Sequence, residues 1–99
     1  MVIWTSRARA DLKAIHDHIV KDAPQNAKKI TREIVQKANI LLEFPQIGRK
    51  VPEVNDDDLR EISLHPWRII YHLRQGKIFV VTVVHKRRQI DADDLSREQ

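Results

Sequence analysis

Seven side chains in the second half of the chain carry the chemistry worth weighing: Arg60, Arg68, His72, His85, Lys86, Arg87 and Arg88. Cleaving RNA at a 2′-hydroxyl needs a base for the proton, an acid for the leaving oxygen and cations for the charge that grows on phosphorus. Histidine titrates near neutral pH, so His72 or His85 can be asked to move protons. Arg68 and Arg87 carry the planar fork that grips a phosphate through two hydrogen bonds. On this reading Arg68, His85 and Arg87 form the catalytic set. A simpler reading treats the same residues as a docking surface for an anionic partner, with His85 a half-buried strand end hydrogen-bonded to backbone.

Other chemistries find little support. The chain has no cysteine, which excludes a thiolate nucleophile, a disulfide framework and a Cys-based zinc site. His16 and His18 lie two apart on an expected helix, so their rings diverge and cannot share a metal. His65 has no evident partner, and no set of three or four converging ligands can be assembled. No metal or other cofactor is therefore expected. The two glycines, Gly48 and Gly76, are too far apart for a phosphate-cradling loop. Ser6, Ser63 and Ser96 lack a nucleophile-elbow context. Asp56, Asp57 and Asp58 read as a solvated loop, and Trp4 and Trp67 as strand-end packing.

The charge is unevenly placed. The whole chain has 99 residues and a formal net charge of +4. Within residues 59–90, seven cations (Arg60, Arg68, Arg74, Lys77, Lys86, Arg87 and Arg88) face one acid, Glu61. Acids gather at Asp56 to Asp58 and again at Asp91, Asp93, Asp94 and Glu98. A basic block between acidic ends favours a polyanion, either nucleic acid or an acidic peptide. The length suits a single domain over residues 1–99 with one core, burying roughly 60–65% of the unfolded surface. No apolar run is long enough to span a bilayer and no export signal is apparent, so a cytoplasmic protein is expected.

The elements that must position these residues follow from periodicity. Val2 to Trp4 reads as a strand, and Ser6 as the cap of a helix carried by Ala8, Leu12, Ile15 and Ile19. Asp22 and Pro24 restart the chain into a second helix, with Ala27, Ile30, Ile34, Ala38 and Leu41 on one side. A turn this short predicts an antiparallel helix hairpin. Phe44-Pro45 stops the second helix, and residues 43–58 read as a loop. Leu59 to Leu64 and Trp67 to Leu73 predict strands. In the second, Trp67, Ile69, Tyr71 and Leu73 share one face, and Arg68, Ile70 and His72 the other. A hairpin turn at Arg74 to Lys77 leads into Ile78 to Val84, apolar enough for a central strand covered on both faces. A short helical turn is expected beyond Ile90. The order is β-α-α-β-β-β, an α+β fold with the N-terminal helix hairpin packed on a twisted antiparallel sheet. Its other face should be partly free, with Arg68 and His72 on it.

Four stretches, in order, resemble the RelE/ParE superfamily of toxins from bacterial type II toxin–antitoxin systems, and more closely its ParE branch. They are Trp4-Thr5 with Ala10-Asp11-Leu12, Ile15 and Ile19; Pro24 with Ala27; Phe44 to Arg49 with Val51-Pro52-Glu53 and Leu59-Arg60-Glu61; and Trp67 to Tyr71 with Val83 to Arg88. The resemblance implies two helices on a sheet and a neighbouring antitoxin whose C-terminal segment wraps and blocks the toxin. Such a segment, if acidic, would be drawn to the basic block at Arg60, Arg68, His72, His85, Lys86, Arg87 and Arg88. RelE-like members cleave mRNA on the ribosome, and Arg68 and Arg87 match arginines of that site. The lysine pair expected on the preceding strand is replaced by Arg60-Glu61-Ile62-Ser63, and no tyrosine follows Arg88. ParE-like members inhibit DNA gyrase and have no accepted catalytic residues. The missing tyrosine and the Gly48 to Glu53 loop favour that branch, with plasmid stabilisation and growth arrest as its expected consequences. A third possibility is a module that retains only antitoxin binding.

Overall fold

The computed structural model describes residues 1–91 and Leu95. Five strands form one sheet in the order β1-β5-β4-β3-β2. They are β1 (Val2–Trp4), β2 (Arg49–Lys50), β3 (Leu59–Leu64), β4 (Trp67–Arg74) and β5 (Lys77–His85). Helices α1 (Ser6–Val20) and α2 (Pro24–Asn39) pack as a pair on one sheet face, and a 3-10 turn at Ile40–Leu42 closes α2. The alternation of β4 is as expected: Ile69 and Tyr71 are buried under the helices with Val80, Ile34, Ala38 and Leu41, and Trp67 and Leu73 pack at the margin.

The sheet differs from a purely antiparallel one at its first edge. β3, β4 and β5 form the antiparallel meander, but β1 runs parallel to β5, pairing Val2 with Ile78 and Trp4 with Val80. The chain between β1 and β5 crosses through both helices, which is the kind of long connection a parallel pair requires. β1 stops at Trp4, halfway along β5, and side chains take over its hydrogen bonds. The Thr5 hydroxyl donates to the Val81 carbonyl at 3.1 Å and accepts from the Ala8 N–H at 3.1 Å. Thr5, and not Ser6, therefore caps α1, because its oxygen serves helix and sheet together. One turn on, the Asp11 carboxylate accepts from the Val83 N–H at 3.0 Å and from the Thr82 hydroxyl. These bonds lie beside the bulge at which Tyr71 faces Val80 while Ile70 faces Thr82.

Two further expectations change. Asp22 does not cap α2. It is drawn into the closing turn of α1, where its N–H donates to Ile19, so Ala23 precedes Pro24 with no side-chain cap. The stretch read as loop holds β2, whose Arg49 lies opposite Glu61 and donates to its carboxylate at 3.0 Å.

The largest correction concerns the second sheet face. It is not free. Val51, Leu59, Ile70, Phe79, Val81, Val84, Ile90 and Leu95 make a second apolar cluster over it, with Ile3 and Val54 at the rim. The molecule has three layers: helix pair, sheet, and a cover made from the loop after β2 and the chain after β5. The helical turn expected beyond Ile90 lies, Leu95 apart, outside the described residues.

Candidate functional site

Arg68 sits on the covered face, only 8% exposed. A buried guanidinium is tolerated only when it is paired, and here two acids share it. Glu53 accepts from both terminal nitrogens at 2.8 Å, and Glu61 accepts from Nε at 3.1 Å and from one terminal nitrogen. The other Glu61 oxygen takes Arg49, and its side chain is 1% exposed. Arg68 is held well above its ordinary pKa, by Glu53 first and against the pull of burial. Glu53 is held below its ordinary value, chiefly by the Arg68 hydrogen bond against burial, with backbone N–H groups of Glu53 and Ile90 adding to it. One carboxylate thus ties the loop, β4 and the chain after β5 together.

Arg60 and Tyr71 serve a second purpose. The Arg60 guanidinium donates to the Gly48 carbonyl at 2.8 Å, and its Nε is buried without a partner. From the helix side, the Tyr71 hydroxyl donates to the Pro45 carbonyl at 2.9 Å and accepts from the Gly48 N–H at 3.0 Å. Burial raises the Tyr71 pKa. The approach is so close that a Cβ on Gly48 would stand 2.6 Å from both the Glu61 carbonyl and the Tyr71 hydroxyl. Glycine is needed there for space. These bonds fix the Pro45-Gln46-Ile47-Gly48 turn and leave Leu42, Phe44 and Ile47 about half exposed beside it.

His72 is buried on the covered face, facing Leu59 and Phe79 across the sheet. Its Nδ1 has no hydrogen-bond partner. Burial lowers its pKa, Asp58 opposes the shift and Arg74 adds to it. It lines a cleft of about 740 Å³ with Asp58, Arg74 and Gln46.

His85 lies opposite Trp67, and the rings meet edge to face with centroids 5.5 Å apart. Trp67 packs with the helix-side core, so His85 and Arg68 project to opposite faces of the sheet. The expected meeting of Arg68, His72 and His85 on one face is therefore overturned. What does gather is a corner. The N–H of Lys86 donates to Pro66 at 2.8 Å, that of Arg87 to His85 Nδ1 at 3.2 Å, and that of Arg88 to the His85 carbonyl at 2.9 Å. This holds Lys86, Arg87 and Arg88 in a tight exposed turn. His65, which had no evident partner in the sequence, lies 3.3 Å from the Lys86 ammonium.

The sequence reading also missed Glu53 and Asp11. Both sit within the quoted motifs, but their partners are 15 and 71 or 72 residues away. No local pattern reveals such pairs. Among the described residues no group of His, Asp and Glu is placed to hold a metal ion, and no helix is long and apolar enough to cross a membrane.

The helix pair on this sheet is the fold of the RelE/ParE superfamily toxins. A solved structure of the chromosomal ParDE toxin–antitoxin system from P. aeruginosa superposes with a TM-score of 0.73, covering 85% of this chain and 92% of that one at 26% identity. Toxin RelE2 of Caulobacter vibrioides is 34% identical over 88 residues, which is 88% of this chain and 96% of that protein. The family model described as ParE toxin of type II toxin–antitoxin system, parDE, matches residues 2–90. The chain belongs to that family and is a toxin of the type II class.

Proposed function

We propose that this toxin acts by inhibiting DNA gyrase, without breaking a substrate bond through residues of its own, and that a cognate antitoxin neutralises it. One observation carries the first part. The set needed to cleave RNA is taken apart: Arg68 is buried in two carboxylates and lies on the far side of the sheet from His85. A guanidinium held this way has no free fork for a phosphate. Support for the antitoxin comes from the P. aeruginosa relative, a ParDE toxin–antitoxin system, and from the net charge of +4, which attracts an acidic segment.

The test pairs two assays on one preparation. Purified toxin is added to a gyrase supercoiling reaction, and separately to a reconstituted translation reaction with labelled message. Loss of supercoiling with gyrase-linked DNA breaks, and intact message, is the expected outcome. Message cut within translated codons, with supercoiling unaffected, would replace the reading by ribosome-dependent cleavage. In cells, the expected consequence is arrest of growth with replication blocked before translation.

A further inference from the structure

We infer that the corner formed by Lys86, Arg87 and His65 is a binding site for the phosphate backbone of duplex DNA. The inference deepens the gyrase reading, because gyrase presents the toxin with DNA as well as protein. Three observations place the site. The cations there are exposed, whereas Arg68 of β4 is neutralised inside. The backbone N–H groups of residues 86 to 88 are all satisfied internally, so the side chains stand on a turn that is already formed. A site ordered before binding spends less of its interaction energy on ordering. Finally, among the described residues the Arg87 side chain has no ion pair or hydrogen-bond partner, and the Lys86 ammonium has the His65 ring as its one hydrogen-bond partner.

The two acids that hold Arg68, Glu53 and Glu61, do not oppose an anion here. Their charge is spent on Arg68 and Arg49. The ligand class follows from the donors. Ammonium and guanidinium groups side by side on an exposed turn fit the phosphates spaced along a duplex backbone. Such contacts fix position and read no sequence. They also release counterions, so they leave a measurable signature in salt.

The experiment measures binding of the full chain to a fluorescent duplex of mixed sequence by anisotropy, from 50 to 200 mM salt. With two phosphate contacts, log K should fall against log salt with a slope near −1.8 from these side chains, about 0.9 per contact. Lys86→Ala/Arg87→Ala should flatten the slope by about 1.8 and abolish most of the binding at the higher salt. Lys28→Ala/Lys29→Ala on the exposed side of α2 removes the same charge and should leave the slope unchanged. All four positions are exposed, and circular dichroism confirms that each variant is folded. Equal effects of the two double variants would overturn the site, as would duplex binding too weak to detect at 100 mM salt. So would displacement by polyglutamate at matched charge concentration, which would mark a surface for acidic protein, or clear preference for single-stranded RNA. Supercoiling assays on the same preparations keep the two readings apart. Wild-type protein that binds duplex through this corner yet leaves supercoiling intact supports the site and removes the gyrase reading.

Discussion

Replacing Arg68 with methionine separates the structural from the catalytic reading of that residue. The substitution keeps the length of the side chain and deletes the guanidinium. It leaves Glu61, whose side chain is 1% exposed, with Arg49 as its one remaining cationic partner, and it strips Glu53 of both of its 2.8 Å bonds. Breaking a buried pair by removing one member costs about 3–5 kcal/mol, because the other charge stays buried without compensation. A domain of this size has about 5–15 kcal/mol in total. One kcal/mol moves the midpoint of a domain this small by about 4–8 °C, so a drop of at least about 12 °C is expected. Arg68→Met/Glu53→Gln/Glu61→Gln removes the orphaned charges too and should recover much of the loss. The assay is thermal and urea unfolding followed by circular dichroism, with gyrase inhibition measured at a temperature where each variant is folded. An Arg68→Met protein as stable as wild type but inactive would refute the reasoning, since a residue of that kind contacts a target and holds nothing together.

The remaining predictions concern the same supports. Gly48→Ala forces a carbon against the Glu61 carbonyl and the Tyr71 hydroxyl, both 2.6 Å away, and should destabilise by about 1–3 kcal/mol in urea unfolding. Tyr71→Phe leaves the Gly48 N–H and the Pro45 carbonyl unpaired, at about 1–3 kcal/mol, and amide exchange at Gly48 should quicken. The Glu53 carboxyl sits below its ordinary 4.5 in the folded chain, so its contribution is fully present above pH 4.5 and is lost as the pH falls through the lower folded value. Glu53→Gln should flatten that limb of the stability curve. His72 is held below 6.5 by burial; the folded state resists the proton that the unfolded chain takes up, so stability should start to fall once the pH drops below 6.5. His72→Gln should remove this earlier step while leaving the one at Glu53.

Much of the scaffold was legible because its signals are local. Helical spacing of Ile15, Ile30, Ile34 and Ala38 marked the two helices, and the alternation Trp67, Ile69, Tyr71, Leu73 marked the face of β4 that meets them. The almost wholly apolar run from Ile78 to Val84 announced a strand covered on both sides, which β5 is. That same run already implied something over the second face. The cover escaped notice because it is built from Val51, Ile90 and Leu95, apolar residues isolated among polar ones with no period to betray them. The cap of α1 was misplaced by one residue for a related reason: serine is locally the better cap, and the distant Val81 carbonyl tips the choice to Thr5.

The candidate site failed in the sequence for a reason that also says where an anion cannot enter. Counting charge over residues 59–90 leaves Glu53 just outside the window, yet Glu53 meets Arg68 through the fold. The apparent excess of cations along the strands is therefore smaller in space than in sequence. A phosphate seeking Arg68 would have to displace Glu53 from two bonds and from the Ile90 N–H, and would then lie against the Glu61 carboxylate, which cannot turn away to solvent. Opposing charges that close, in a poorly solvated layer, interact more strongly than any pair on the surface. The same carboxylates that allow a guanidinium under the cover exclude an anion from it. A polyanion is therefore kept out of the covered layer, which agrees with the proposal that Lys86 and Arg87, past the end of β5, receive it.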